Sequence, residues 1–261
     1  MTDLFADFAR EISREAGAIL LRGFRSGKTV ISYKSRTDLV TDSDRASEQH
    51  LVERISKRFP DHDIIAEEGG RKEAAGEYIW YVDPLDGTNN FAHGLPFFCV
   101  SIGVYSTALK QVVAGVVYNP FLDELFTAVR GGGAFLNDRP IRVSHLDDIG
   151  VSLVATGFPY DKATSENNNV KEFSRIILRI QGIRRMGSAA IDLSYVACGR
   201  LDGYWEAKLK SWDMAAGSLI VEEAGGRVTT FSGGLFNPEY PEIAATNGII
   251  HNQLIALLEN V

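Results

Sequence analysis

The chain has 261 residues, of which 45% are hydrophobic and 23% charged. These are the proportions of a soluble globular protein, and they exclude a disordered polymer, a coiled coil and a fibrous repeat. The net charge is −7, from 27 basic and 34 acidic residues; that balance argues against a broad basic surface for nucleic acid but not against a local site that attracts small anions. At roughly 150 residues per domain, the length fits one large domain or two closely packed ones. Cys99 and Cys198 lie in apolar stretches and read as buried thiols of a reducing compartment rather than a disulfide framework. Charged residues run through Met1 to Arg25, where a signal peptide would need an apolar core. No apolar run approaches the ~18 residues of a membrane helix. The expectation is a soluble, cytoplasmic protein.

In chain order, Leu4, Phe8, Ile12, Ala16, Leu20 and Phe24 fall at steps of four, joined by Phe5 and Ile19, which predicts an amphipathic helix to about Arg22. A short strand is expected over Thr29–Tyr33. Leu51, Ile55 and Phe59 repeat the helical spacing until Pro60 stops it. The period then changes. Ile79–Val82, Phe97–Tyr105, Val112–Tyr118 and Leu125–Val129 are β-branched and aromatic runs parted by turn residues, predicting successive strands of one sheet. A strand at Val151–Thr156 precedes Tyr160–Asn169, a polar stretch expected to be a flexible loop. Helices follow at Val170–Ile180, Ala189–Cys198 (closed by Gly199) and Asp213–Ala224 (closed by Gly225-Gly226). Strands at Arg227–Phe231 and Ile243–Thr246 and a helix at Asn252–Leu258 complete the chain. A composition shift near Val143–Ile149 marks the boundary between two mixed α/β halves, 1–145 and 146–261, that share one site.

Chemistry concentrates in Trp80-Tyr81-Val82-Asp83-Pro84-Leu85-Asp86-Gly87-Thr88-Asn89-Asn90-Phe91. A buried strand ends in a carboxylate, a proline keeps the chain extended, and a second carboxylate follows three residues on. Two carboxylates beside the Leu85 carbonyl form an all-oxygen group suited to hard cations such as Mg²⁺. A helix beginning near Thr88 would turn its free N–H groups toward a phosphate. Metal carboxylates beside an anion-binding turn are the requirement for metal-assisted phosphate hydrolysis. A bare Asp-x-x-Asp is more often an ordinary turn and cap. Its companions are as ambiguous singly: Glu67-Glu68 could be a solvated loop, and Asp44 and Asp213 helix caps.

Together the segments are specific. Asp83–Phe91 followed by His93-Gly94, with Trp212-Asp213-Met214-Ala215-Ala216-Gly217 through Glu223-Ala224-Gly225-Gly226, resembles the two defining motifs of the inositol monophosphatase family. Lys34, Asp38, Thr41 and Asp44, and then Glu67-Glu68, lie in the family's order and spacing, so the resemblance runs from about Leu4 to the last helix. It implies an α/β (α+β) layered αβαβα sandwich of the inositol monophosphatase and fructose-1,6-bisphosphatase type. Such proteins are usually homodimers, require Mg²⁺ (two to three ions per site) and are typically inhibited by Li⁺. Carried over residue by residue, Glu67, Asp83 and the Leu85 carbonyl hold one ion, Asp83, Asp86 and Asp213 a second, and Glu67 with water a third, weaker one. The 1–145 half thus carries most metal ligands, and the 146–261 half carries Glu206 and Asp213. Gly87 and Thr88 present N–H groups to the phosphate. Asp44, Thr88 and Glu67 form the catalytic set, with Thr88 and Asp44 orienting a metal-activated water for in-line attack. The ion near Asp86 and Asp213 steadies the leaving alkoxide.

Specificity follows from the same resemblance. Glu206 stands where the family places a carboxylate that accepts inositol hydroxyls, unless it is merely a strand-end surface charge, and Gly187-Ser188-Ala189 matches the segment whose backbone contacts the ring. Asn89-Asn90-Phe91 resembles the inositol branch. Thr37 departs from the Asn of many bacterial members and could alter the loop over the metals. Arg184-Arg185 either attracts a second phosphate or faces solvent. No Gly-x-x-x-x-Gly-Lys loop, His-Glu-x-x-His pair or nucleophilic serine elbow occurs; His93 is expected to pack within its motif. The expected activity is Mg²⁺-dependent hydrolysis of myo-inositol monophosphates and related polyol phosphates. Its rivals are the same chemistry on fructose 1,6-bisphosphate or NADP, and an added binding role with transcription complexes. A small phosphate monoester is the expected partner; nucleic acid and membrane are not.

Overall fold

Alternation along the central strands sorts the protein into layers. The computed structural model describes residues 2–27, 30–33, 39–74 and 76–259, so Thr29, Lys34, Thr37 and Asp38 lie outside the described residues. The helices are α1 (Thr2–Ser26), α2 (Asp42–Arg58), α3 (Thr88–Ala92), α4 (Val170–Ile176), α5 (Ala189–Ala197), α6 (Ser211–Glu223) and α7 (His251–Glu259). The strands of the first half are β1 (Ile31–Tyr33), β2 (Leu39–Thr41), β3 (Asp63–Ala66), β4 (Gly70–Lys72), β5 (Tyr78–Asp86), β6 (Cys99–Ser106), β7 (Gln111–Asn119), β8 (Glu124–Val129), β9 (Gly133–Leu136) and β10 (Arg139–Pro140). Those of the second are β11 (Leu153–Thr156), β12 (Gly182–Arg184), β13 (Gly203–Ala207), β14 (Arg227–Thr229) and β15 (Glu242–Thr246). An eight-stranded sheet runs β10-β9-β8-β7-β6-β5-β3-β4, a five-stranded sheet runs β12-β11-β13-β15-β14, and β1 pairs with β2.

Helices α1 and α2 cover one face of the larger sheet, where Phe5, Ile12, Leu20, Leu51 and Ile55 pack with Trp80, Val82, Val100, Ile102 and Val116. Strand residues of the other parity, including Tyr81 and Cys99, pack with α5 and α6, whose far side meets Tyr204, Ile243 and Ala245 of the smaller sheet. Beyond that sheet, Val154, Trp205 and Ala244 pack with Ile176 of α4 and Leu254 and Leu258 of α7. The order is helix, sheet, helix, sheet, helix, the expected αβαβα sandwich. Every residue of α5 is buried, as a helix between two sheets requires.

Several elements differ from their sequence reading. α1 runs to Ser26, and its buried stripe includes Phe5, Ala9, Ile12, Ala16 and Leu20, while Leu4 is 44% exposed. A row at steps of four drifts round a helix of 3.6 residues per turn, so the row's first residue leaves the core. β2, β3, β4, β9, β10, β12 and β13 were not expected; they have two to five residues each, too few for a period to declare itself. The helix expected over Val170–Ile180 ends at Ile176 and tightens into a 3₁₀ turn over Ile177–Arg179.

α6 lies unusually close to the larger sheet. Gly103 and Gly115 are cross-strand partners; a Cβ on Gly103 would stand 2.7 Å from Ala215 Cβ, and one on Gly115 2.8 Å from the Ala216 carbonyl oxygen. Ser101 Oγ donates to the Trp212 carbonyl at 3.2 Å, holding the helix start against β6. Gly115→Val is therefore expected to cost about 2 kcal/mol through overpacking and to reduce activity by moving Asp213. Thermal melting and an activity assay check this; an unaltered melting temperature would refute the close contact.

Candidate active site

The site begins with an irregularity in β5. Asp83 pairs with Ser101 and Asp86 with Cys99, so three steps on β5 oppose two on β6. Residues three apart on a regular strand point to opposite faces. The extra residue of this bulge returns both carboxylates to the face covered by α5 and α6. Pro84 suits the place, having no N–H for the ladder. Ser47 Oγ of α2 donates to the Pro84 carbonyl at 3.0 Å, and Asp83 Oδ1 accepts the Leu85 N–H at 3.0 Å. Gly87 then takes φ 94°, a left-handed conformation that favours glycine, and leads into α3, the helix expected near Thr88.

Asp83, Asp86 and Asp213 line one cavity of about 340 Å³ with Glu67, Leu85, Gly87, Thr88, Ser188, Ala189 and Glu206. Asp44 completes the set from just behind: it is fully buried, and its Oδ1 accepts from Thr88 Oγ1 at 3.2 Å. The same hydroxyl lies 2.9 Å from the Leu85 carbonyl oxygen. Asp44 Oδ2 accepts from the Thr41 N–H and hydroxyl, so Asp44 is both a capping-box residue of α2 and Thr88's partner. Glu67 is placed by its N–H bond to the Val82 carbonyl and by Glu48, which accepts the Glu68 N–H at 2.7 Å. A larger hollow of about 570 Å³ between α2 and β3–β4 shares Glu67 but none of the three aspartates.

Asp86 ties the end of β5 to the start of α5. Its Oδ2 accepts from Ser188 Oγ at 2.7 Å and from the Ala190 N–H at 2.8 Å at the start of α5. Asn90 donates to the Phe97 and Met186 carbonyls, both at 2.7 Å, fastening α3 to the Gly187 turn. Asp213 is the third residue of α6, not its first, and its Oδ2 accepts the Lys210 N–H at 2.7 Å. The expected helix cap is thus also a pocket carboxylate. Glu206 belongs to β13 and accepts from the Tyr204 hydroxyl; it is a pocket residue, not a strand-end surface charge.

Burial dominates the electrostatics. It raises Asp83 well above the carboxylate range, with Glu67, Asp86 and Asp213 adding repulsion. Asp213 is raised the same way, first by burial and then by Asp86. Burial lifts Asp86 to about 6 against the bonds from Ser188 and Ala190, Asp44 to about 7 against those from Thr41, and Glu206 to about 7 against that from Tyr204.

A cluster this crowded calls for positive charge. Among the described residues no group of three or more His, Cys, Asp or Glu side chains has the arrangement of a formed metal cage. One oxygen each of Asp83, Asp86 and Asp213 is engaged by the chain itself, while the other accepts no hydrogen bond from the described residues. Three such carboxylate oxygens and the Leu85 carbonyl fit a hard divalent cation.

Other expectations resolve differently. Arg184-Arg185 is not a unit: Arg185 lines the cavity, whereas Arg184 is an exposed residue ending edge strand β12. His93 is exposed rather than packed, because it caps the C-terminus of α3. Residues 160–169 carry no helix or strand, yet Asn169 is 2% exposed and Lys208 Nζ bonds Asp161 and Ser165. Asn169 and Ser47 carried no sequence signal, since their partners are distant in the chain. Tyr204 could have been found, because residues two apart share a strand face.

A bulged strand end, a bonded Thr–Asp pair and a crowd of carboxylates in one cavity define a hydrolase-like site for a phosphate ester. The inositol monophosphatase family model matches residues 1–261. An inositol-1-monophosphatase of Synechocystis is 50% identical over 83% of this chain and 75% of its own length. The Nus factor SuhB of Pasteurella multocida is 46% identical over 87% of this chain and 85% of its own. The solved inositol monophosphatase of Anabaena superposes with a TM-score of 0.90 at 43% identity, covering 99% of this chain and 96% of that one. The chain belongs to the inositol monophosphatase family. Phosphatases of this family are metal-dependent.

Proposed function

We propose that this protein hydrolyses myo-inositol monophosphates and related polyol phosphates, using Mg²⁺ held by Glu67, Asp83, the Leu85 carbonyl, Asp86 and Asp213. The observation that carries the reading is the Asp44–Thr88 pair, bonded at 3.2 Å beside those carboxylates. Mg²⁺ supplies the positive charge that admits a phosphate dianion and acidifies water. Thr88 Oγ1 has one proton and two neighbouring acceptors, so it can receive a bond from the attacking water while passing its own proton to Asp44. With a pKa near 7, Asp44 is matched to proton uptake around neutral pH. Gly87 orients the phosphate, Ser188 and Ala189 border the ring, and Glu206 accepts its hydroxyls. The halves 1–145 and 146–261 act as two units meeting at this cavity, in a cytoplasmic homodimer.

Phosphate release from inositol 1-phosphate and fructose 1,6-bisphosphate, with and without Mg²⁺, tests the reading. Mg²⁺-dependent release favouring inositol 1-phosphate supports it. Preference for the bisphosphate overturns the specificity, and release from neither by folded protein overturns the activity. Glu206→Gln is expected to lower kcat/KM for inositol 1-phosphate about tenfold or more, because a ring hydroxyl then loses a charged acceptor. An equal loss on a substrate without ring hydroxyls would exclude that role.

The Nus factor name of the Pasteurella relative favours a second role in contact with the transcription machinery. A low-salt pull-down with purified RNA polymerase tests it, and recovery of none counts against it.

A further inference from the structure

Glu206 occupies a space that only a missing side chain leaves open. A Cβ on Gly157 would stand 2.0 and 2.1 Å from the two Glu206 carboxylate oxygens and 2.2 Å from Cδ. Gly157 directly follows β11 and is buried. It is absent from the residues with left-handed backbone, so its conformation would admit any L-residue. What calls for glycine is the carboxylate pressed against its Cα.

The seat is itself fixed. Asn169 donates through Nδ2 to Thr156 Oγ1 at 2.7 Å and to the Gly157 carbonyl, and its Oδ1 accepts the Trp205 indole N–H at 2.7 Å. Thr156 Oγ1 lies 2.6 Å from the Trp205 carbonyl oxygen and donates to it. One buried amide thus ties Gly157 to the residue preceding Glu206, so that seat and carboxylate move together. Gly157, Glu206 and Arg185 all line the candidate cavity.

We infer that Gly157 is a positioning residue for substrate selection: its bare Cα seats the Glu206 carboxylate facing the substrate ring, and Asn169 holds the seat in place. The inference rests on the reading that Glu206 accepts ring hydroxyls. Gly157→Ala puts a methyl where the carboxylate lies, and Glu206 must turn away.

The test compares wild type, Gly157→Ala, Glu206→Ala and the double variant on inositol 1-phosphate and on phenyl phosphate, which has no ring hydroxyls. The ratio of kcat/KM for the two substrates is expected to fall tenfold or more in Gly157→Ala, to fall similarly in Glu206→Ala, and to fall little further in the double variant. A crystal structure of Gly157→Ala should find the carboxylate displaced. A retained ratio, or losses that add in the double variant, would overturn the inference. If Gly157→Ala does not fold, the double variant should, because truncating Glu206 frees the space; two unfolded proteins would assign Gly157 to the fold instead. A wild type with no preference for inositol 1-phosphate would sink the substrate reading alone. The crystal structure then decides the positioning, and a carboxylate still in its wild-type place overturns it.

Discussion

Asp86→Asn is expected to reduce phosphate release by about a thousandfold, the scale of removing one essential group from a charge-stabilising site, while the melting temperature stays within a few degrees. Asp86 Oδ2 accepts from Ser188 Oγ and the Ala190 N–H, and the amide oxygen of an asparagine can accept both, so the join between β5 and α5 survives. The variant loses the negative charge that balances bound cations. Without metal that charge is a liability to the fold, since burial raises the Asp86 pKa to about 6, and the neutral amide is tolerated. The two readouts therefore separate: activity collapses and stability does not. A fully active Asp86→Asn protein would remove Asp86 from the metal site, and an unfolded one would make its role structural.

Removing divalent cations has the second large effect, and its sign depends on pH. Asp44 has an ordinary value of 3.8 and is raised to about 7 by burial; Asp86 is raised to about 6. The folded protein therefore binds protons more tightly than the unfolded chain. Stability from these groups is fully present below about pH 4 and is lost as pH rises through 6 and 7. Metal-free protein should melt several degrees lower at pH 8 than at pH 5.5. On the proposed function Mg²⁺ binds the folded carboxylates in their ionised form, so it should restore stability at pH 8 and do less at pH 5.5, where protons compete. At a hundredfold excess over Kd that restoration is about 2.7 kcal/mol. Melting curves with EDTA or Mg²⁺ at both pH values check this; a metal-free melting temperature that rises toward pH 8 would contradict the buried, repelling carboxylates. Activity should vanish with EDTA and fall below neutral pH, and a rate flat from pH 8 to pH 5 would sink the metal-linked account.

What could be read along the chain depended on how local its cause was. Pro84 beside two aspartates, Gly87 in the turn and the apolar pattern before Asp83 act within a few residues, and the motif was legible from them. So were the long strands β5 to β8, helix α2 with its apolar residues at steps of four, and helices α5 and α6, apolar runs closed by Gly199 and by Gly225-Gly226. Seven short strands were not, because the pairing partner rather than the strand's own pattern defines them. The burial of α5 and α6 on all sides became intelligible only with a sheet on each face.

The site divides along the same line. The identity of the carboxylates, and their place at the end of a buried strand for Asp83 and Asp86, are local properties legible in the order of residues. Tertiary pairing makes the two face one way, through a bulge visible only against β6. Tertiary packing alone brought Thr88 within 3.2 Å of Asp44, 44 positions away, set Ser188 on Asp86 across 102 positions, and placed Glu206 over the bare Cα of Gly157. Residue type fixes what a group can do. Its pKa and its partners depend on desolvation and on neighbours remote in the chain, and these exist only once the layers have closed around it.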